Sequence, residues 1–402
     1  MTGFDPQSSL ASRERFPCFD GLRAIAAGAV VVLHVSLISG YSFRQEGGLA
    51  PYFARGDAGV YLFFVISGYL LYRPFVAARF DHAAGVELRG YARRRALRII
   101  PAYWVALTIL VLIFDTRRRD DITSIRDVVI YYGFLQIYFQ STVVGGLQQA
   151  WSLCTEMSFY IALPVWAMVL RRTRRATETL DRVLRVELAT LAALYVFALA
   201  ARWWVVKDYT THVDVDYRLD WLPMNADLFA LGMGVAAVRE WDLRRRSPVH
   251  LLDMVGRMPW LWWTIAGVSY WAISTRFDMP RGPGADTPGQ WMIRQVLYGA
   301  TAFFLLLPAV FGPQDEGLVR RLLRSRVFVF GGLISYGIYL WHEGVIDVWM
   351  HRRNIAPFTS GFLSLLAVAV VGTVAVAVLS YVVVERPALA RKSPRRATST
   401  TT

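Results

Sequence analysis

Apolar runs of roughly twenty residues recur along the whole chain, separated by short polar segments. That spacing predicts membrane-spanning helices. Ten runs are read, at 22–40, 58–76, 97–114, 150–170, 188–206, 221–238, 258–275, 294–311, 327–349 and 361–384. A further apolar run, Val128 to Phe139, is too short to cross. It is expected at the interface or as a re-entrant segment. No internal repeat is visible.

The expected fold is an all-α polytopic membrane protein with about ten transmembrane helices. About two-thirds of the Lys and Arg residues fall in the N-terminus and even-numbered loops, so the positive-inside rule places both termini in the cytoplasm. The organisation expected is a cytoplasmic N-terminal segment over 1–18, one transmembrane domain over 19–387, and a disordered cytoplasmic tail over 388–402. No cleavable signal is apparent, and no attached soluble domain is expected.

Composition agrees. Apolar residues make up 55% of the 402, and only 18% are charged, below the quarter typical of soluble proteins. The net charge of +14 would suggest nucleic acid in a soluble chain. Here the basic residues sit between apolar runs as topology signals, so no nucleic-acid partner is expected. The two cysteines, Cys18 and Cys154, carry no redox information. The six histidines are scattered without ligand spacing, and no metal is expected.

Polar residues inside apolar runs change the picture from scaffold to chemistry. In FDGLRAIAAGAVVVLH, Arg23 and His34 are eleven positions apart. That is about three turns, so both lie on one helix face about 16 Å apart along the axis. His34 falls near or beyond mid-membrane, where an ionisable group is rare and usually functional. In YARRRALRIIPAY, the forks of Arg93, Arg94, Arg95 and Arg98 suit phosphates, although topology alone explains many such clusters. In WSLCTEMSFYIALP, Glu156 is expected at a depth similar to His34, where the two could face each other. In GVYLFFVISGYLL, the Ser67–Gly68 pair predicts close helix packing. In ISYGIYLWHEGVI, Ser335, Tyr339 and His342 share a face. There His342 either lines an acceptor cavity or anchors at the interface with Trp341.

Together these stretches resemble the acyltransferase-3 family of membrane acyltransferases. The match runs in order through the Arg–ten–His first span, the Phe–Ser–Gly stretch, RRRALRIIPAY, WSLCTEMSFYIALP, ISYGIYLWH and the closing VVVERPAL. One departure stands out. Tyr61 occupies a position that is often Asp in the family, and Asp57 lies one turn earlier.

The resemblance implies transfer of an acyl group, usually acetyl, from acetyl-CoA or another acyl-CoA to a hydroxyl. The acceptor would be a cell-envelope carbohydrate, a glycolipid or a macrolide, met in contact with membrane lipid. It implies His34 as general base, with Glu156 orienting it. It implies Arg23, Arg94, Arg95, Arg98 and Tyr103 at the coenzyme, and Trp151, Tyr160 and His342 at the acceptor. A multi-pass protein of the plasma membrane, in a bacterium the inner membrane, is expected. The competing class is a transporter or flippase of a lipid-linked sugar, which would also carry buried ionisable residues.

Overall fold

The computed structural model describes residues 16–45, 47–83, 85–114, 122–173, 178–208, 216–245, 247, 249–282 and 286–391. Most of the N-terminal segment and of the tail expected from sequence lies outside these residues.

The protein is an all-α polytopic membrane protein, with no strand among the described residues. Lipid offers no partners to backbone amides, and a helix satisfies them within its own segment. The principal helices are α1 (Pro17–Ile38), α2 (Ala58–Phe80), α3 (Leu88–Leu107), α4 (Ile125–Tyr132), α5 (Trp151–Arg172) and α6 (Leu180–Val206). After them come α7 (Leu222–Leu243), α8 (Pro259–Thr275), α9 (Pro288–Val310), α10 (Arg326–Leu333), α11 (Ser335–Arg352) and α12 (Phe362–Ser380). Among the described residues, 8 helical stretches are long and apolar enough to cross a membrane. They correspond to eight of the ten runs. The other two runs differ: α8 has only 17 residues, and the run at 327–349 is broken at Ile334 into α10 and α11. The run at 128–139 forms the 8-residue α4 and a short 3-10 turn, as its length dictates.

Small residues set the closest contacts. A Cβ on Gly68 of α2 would stand 2.3 Å from the Phe229 carbonyl oxygen of α7, and one on Gly232 of α7 would stand 2.0 Å from the Val65 oxygen. Each helix thus needs the other's glycine, the small-residue packing favoured inside membranes. At the break, a Cβ on Gly332 would meet the Asp20 oxygen of α1 at 2.1 Å. The short α10 can therefore lie against the start of α1, and α11 begins where it can face His34.

Buried ion pairs stitch α2 to its neighbours near one end. Arg73 meets Glu240 of α7 at 2.5 Å, and Arg79 meets Glu187 of α6 at 2.6 Å. The Tyr72 hydroxyl donates to the same Glu187. Away from water each of these charges requires its partner.

Candidate active site

Two polar clusters occupy the interior, joined through α11. The first gathers residues from five helices: Arg23 of α1, Ser67 of α2, Arg95 and Arg98 of α3, Glu156 of α5 and Tyr336 of α11 all line one pocket. Glu156 Oε1 accepts from the Ser67 hydroxyl at 2.6 Å and from the Tyr160 hydroxyl at 2.8 Å. Arg23 has Asp20 at 3.5 Å. Nε of Arg95 is buried without a hydrogen bond. Three guanidinium groups facing one lining carboxylate leave the pocket with positive charge to spare, the electrostatics of an anion site. Its volume is about 80 Å³, room for a few water molecules only.

The second cluster joins His34 of α1 to His342 and Glu343 of α11. His34 Nε2 lies 2.9 Å from Glu343 Oε1. His34 Nδ1 lies 3.0 Å from the Val30 carbonyl oxygen and 3.0 Å from His342 Nε2. His342 Nδ1 faces the carbonyl oxygens of Tyr339 at 2.8 Å and Ile338 at 3.2 Å.

Donor and acceptor accounting assigns the hydrogens. His342 Nδ1 faces carbonyls, so it carries the hydrogen and leaves Nε2 as an acceptor. His34 Nδ1 faces two acceptors, so it too carries a hydrogen. His34 Nε2 then meets a carboxylate with no hydrogen of its own. The contact needs one further proton, shared between Nε2 and Oε1. The pair is built to hold a transferable proton.

The same three residues bring potential metal-ligand atoms within 4.8 Å of one another, a gathering their scatter in sequence conceals. However, His342 and Glu343 engage different nitrogens of the His34 ring, whose lone pairs diverge. One ion cannot touch all three unless that ring turns. The arrangement as it stands is a proton chain.

Tyr339 stands between the clusters. It lines the arginine pocket, its ring centroid is 6.0 Å from that of His342, and its hydroxyl donates to the Gln149 carbonyl oxygen at 2.6 Å. Phe63 packs edge-on against it at 6.1 Å.

The structure brings together Arg23, Arg95, Arg98, Glu156 and Tyr160, and separately His34 and His342. It corrects the partner expected for His34: the carboxylate on the imidazole is Glu343, whereas Glu156 is bonded within the arginine pocket. Tyr160, placed at the acceptor by the resemblance, sits with the arginines and donates to Glu156 at 2.8 Å. Tyr103 is buried away from the arginines, donating to the Tyr131 carbonyl oxygen at 2.8 Å as α3 packs on α4. Arg94 is exposed and does not line the pocket. Trp151 packs edge-on to Phe64 at 6.1 Å, outside both clusters. Glu343 was legible only as a second ionisable residue beside His342 within an apolar run.

The departure at Tyr61 also has a structural counterpart. Asp57 accepts from the Tyr298 hydroxyl at 2.6 Å, and Tyr61 packs edge-on against that same ring at 4.8 Å. The carboxylate one turn earlier reaches the neighbour that Tyr61 touches.

Comparison with known proteins identifies the family. The acyltransferase-3 profile, described as an acyltransferase domain, matches residues 16–382. The chain is 25% identical over 393 residues to the peptidoglycan O-acetyltransferase OatA of Listeria monocytogenes, covering 94% of this chain and 56% of that protein. It is 24% identical to the O-acetyltransferase OatA of Staphylococcus aureus, covering 85% of this chain and 52% of that one. It is 27% identical to nodulation protein 10 of Rhizobium leguminosarum bv. viciae, with 82% of each covered. The chain thus spans about half the length of the two O-acetyltransferases it matches. No solved structure matches significantly.

Proposed function

Since the chain belongs to the acyltransferase-3 family, we propose that it is a membrane O-acyltransferase moving an acetyl group from acetyl-CoA to a hydroxyl of a cell-envelope carbohydrate or glycolipid. The relatives named as O-acetyltransferases support the reaction class. The observation that carries the reading is the separation of two complementary clusters, an arginine pocket and a proton-holding His–Glu pair, on the face of one helix.

The coenzyme phosphates bind Arg23, Arg95 and Arg98 from the cytoplasmic side of the plasma membrane, the side on which both termini lie. The pantetheine arm runs along α1 past Tyr339 and Phe63. The rise from Arg23 to His34, about 16 Å, is a length such an arm can span. At the inner end the His34–Glu343 pair, in its proton-free form, takes the proton of the acceptor hydroxyl, which comes to rest between Nε2 and Oε1 at the 2.9 Å contact. The hydroxyl oxygen attacks the thioester carbonyl, the C–S bond breaks, and the stored proton passes to the departing thiolate. The products are the ester and free coenzyme A.

Direct transfer is preferred to an acyl-His intermediate. In direct transfer Nε2 gains only a proton, which fits within the 2.9 Å contact to Glu343, whereas an acyl group on Nε2 would push that carboxylate away, and Nδ1 is held as a donor to the Val30 carbonyl oxygen. Glu156 positions Ser67 and Tyr160 in the donor pocket and partly balances its arginines.

The test is acetyl-CoA turnover by the protein in nanodiscs, followed as thiol release with and without an envelope glycolipid and peptidoglycan extract. Thiol release that depends on the extract, with acetyl ester appearing in it, is expected. Transport of a lipid-linked sugar without thiol release would contradict the reading.

A further inference from the structure

An apolar groove of about 660 Å³, unused by the mechanism above, is lined by Val105, Leu110, Trp341, Gly344, Val348 and Val376 where α3 and its continuation face α11 and α12. A much smaller pocket lies beside Glu343, lined by Leu110, Leu147, Glu343, Gly344 and Asp347. Its volume is about 20 Å³, room for one water-sized group. The groove and the pocket share Leu110 and Gly344. At 100° per residue, side chains of α11 follow one another around the helix in the order His342, Glu343, Asp347, Gly344, Val348, Trp341. The small pocket therefore lies between the Glu343 carboxylate and the groove.

Leu110 closes the passage from one to the other. A Cβ on Gly344 would stand 2.4 Å from Leu110 Cδ1 and 2.5 Å from Cδ2, so the isobutyl group rests directly on the glycine. Leu110 is 5% exposed and belongs to the π-helical turn Thr108–Ile113, a distortion that often marks functional sites. A second π-helical turn, Tyr381–Glu385, supplies Val383 and Val384 to the same groove.

We propose that Leu110 is the specificity-determining residue for the length of the transferred acyl group. The inference rests on the proposed function for the position of the thioester, beside His34 and Glu343. An acetyl methyl fills the small pocket and meets Leu110. A longer chain has to pass between Leu110 and Gly344, which are already in contact. Beyond them the groove is ready-made. A methylene takes up about 30 Å³, roughly the share of one water molecule, so the groove more than holds the further carbons of an octanoyl chain. Removing the isobutyl group joins the two spaces, and the aliphatic walls favour burial of the chain.

The full chain in nanodiscs is assayed with acetyl-CoA and octanoyl-CoA in the presence of the envelope extract. Wild type is expected to favour acetyl at least tenfold in kcat/KM, since the longer chain overpacks the closed passage. In Leu110→Ala the octanoyl-to-acetyl ratio should rise at least tenfold. Adding Val348→Trp, which plugs the groove one helical turn from Gly344, should return the ratio toward the wild-type value. Should Leu110→Ala fail to fold, the milder Leu110→Val is assayed with butanoyl-CoA as the longer donor. Two unreactive thioethers, S-ethyl- and S-octyl-coenzyme A, are titrated calorimetrically into the same samples, and their relative affinity should shift the same way. Acetyl-CoA turnover with an unchanged ratio in the variant, or octanoyl turnover by wild type at the acetyl rate, would overturn the proposal and leave the acyl-transfer reading standing. A thioether preference that shifts in Leu110→Ala, in a protein that consumes neither donor, would uphold the passage and remove the acyl-transfer reading. Binding of neither thioether would remove both.

Discussion

Oε1 of Glu343 lies 2.9 Å from Nε2 of His34, although the two residues come from opposite ends of the chain. His342 closes the other side of the same ring at 3.0 Å. Helix α11, started by the break at Ile334, delivers both partners to α1. The contact between Nε2 and Oε1 demands one proton, and the remaining hydrogens of the chain are fixed by backbone carbonyls. As the proposed base, this pair differs from an isolated imidazole because a proton it accepts is shared across the contact with Glu343.

The Glu343→Gln variant tests that role. The amide keeps the size and can donate to Nε2, but it cannot share a transferable proton. We expect kcat to fall on the order of 10²- to 10⁴-fold, the usual contribution of a general base. The size-exclusion profile and acetyl-CoA binding should match wild type. A steady-state assay on matched preparations measures this.

The donor pocket predicts a separation of kinetic constants. Hydrogen bonds to charged groups contribute about 1.5–3 kcal/mol, so Arg95→Ala should raise KM for acetyl-CoA roughly 10- to 100-fold. The KM for the acceptor should not move, and added salt should weaken donor binding in wild type more than in the variant. Initial rates over a grid of both substrates read this out.

Stability should depend on the glycine contact between α2 and α7. Any Cβ at Gly232 meets a backbone oxygen, which cannot rotate away as a side chain would. Gly232→Leu is expected to destabilise the protein by about 1–3 kcal/mol or more, visible as a lower unfolding temperature in detergent. Gly267, where a Cβ would meet nothing within 4 Å, is the control position.

The buried pair Arg79–Glu187 gives a further stability prediction. Glu187→Ala leaves the Arg79 guanidinium buried without its carboxylate. The expected loss is about 3–5 kcal/mol. The double variant Glu187→Ala with Arg79→Met should recover much of it. A double-mutant cycle on unfolding temperatures measures the coupling.

Several of these features were legible in the chain because they depend on local order. Apolar runs dictate helices, and a helical spacing of eleven places Arg23 and His34 on one face. Arg95 and Arg98, one turn apart, do line the same pocket. Partners across helices were not legible. Depth alone suggested Glu156 for His34, since two residues at similar height can meet if their helices rotate that way. The rotation instead turns Glu156 toward Ser67 and the arginines, and α11 presents Glu343. The break at Ile334 was hidden because the run stays apolar on average across the Gly331–Gly332 pair and Ser335, and hydropathy registers composition rather than helix continuity.

The most direct test of the His34–Glu343 account is a comparison of acetyl-CoA turnover in wild type, His34→Ala and Glu343→Gln, with acetyl-CoA binding measured on the same samples. The account predicts that all three bind the coenzyme alike, that His34→Ala shows no turnover above background, and that Glu343→Gln is severely slowed. Turnover by His34→Ala at the wild-type rate would contradict it.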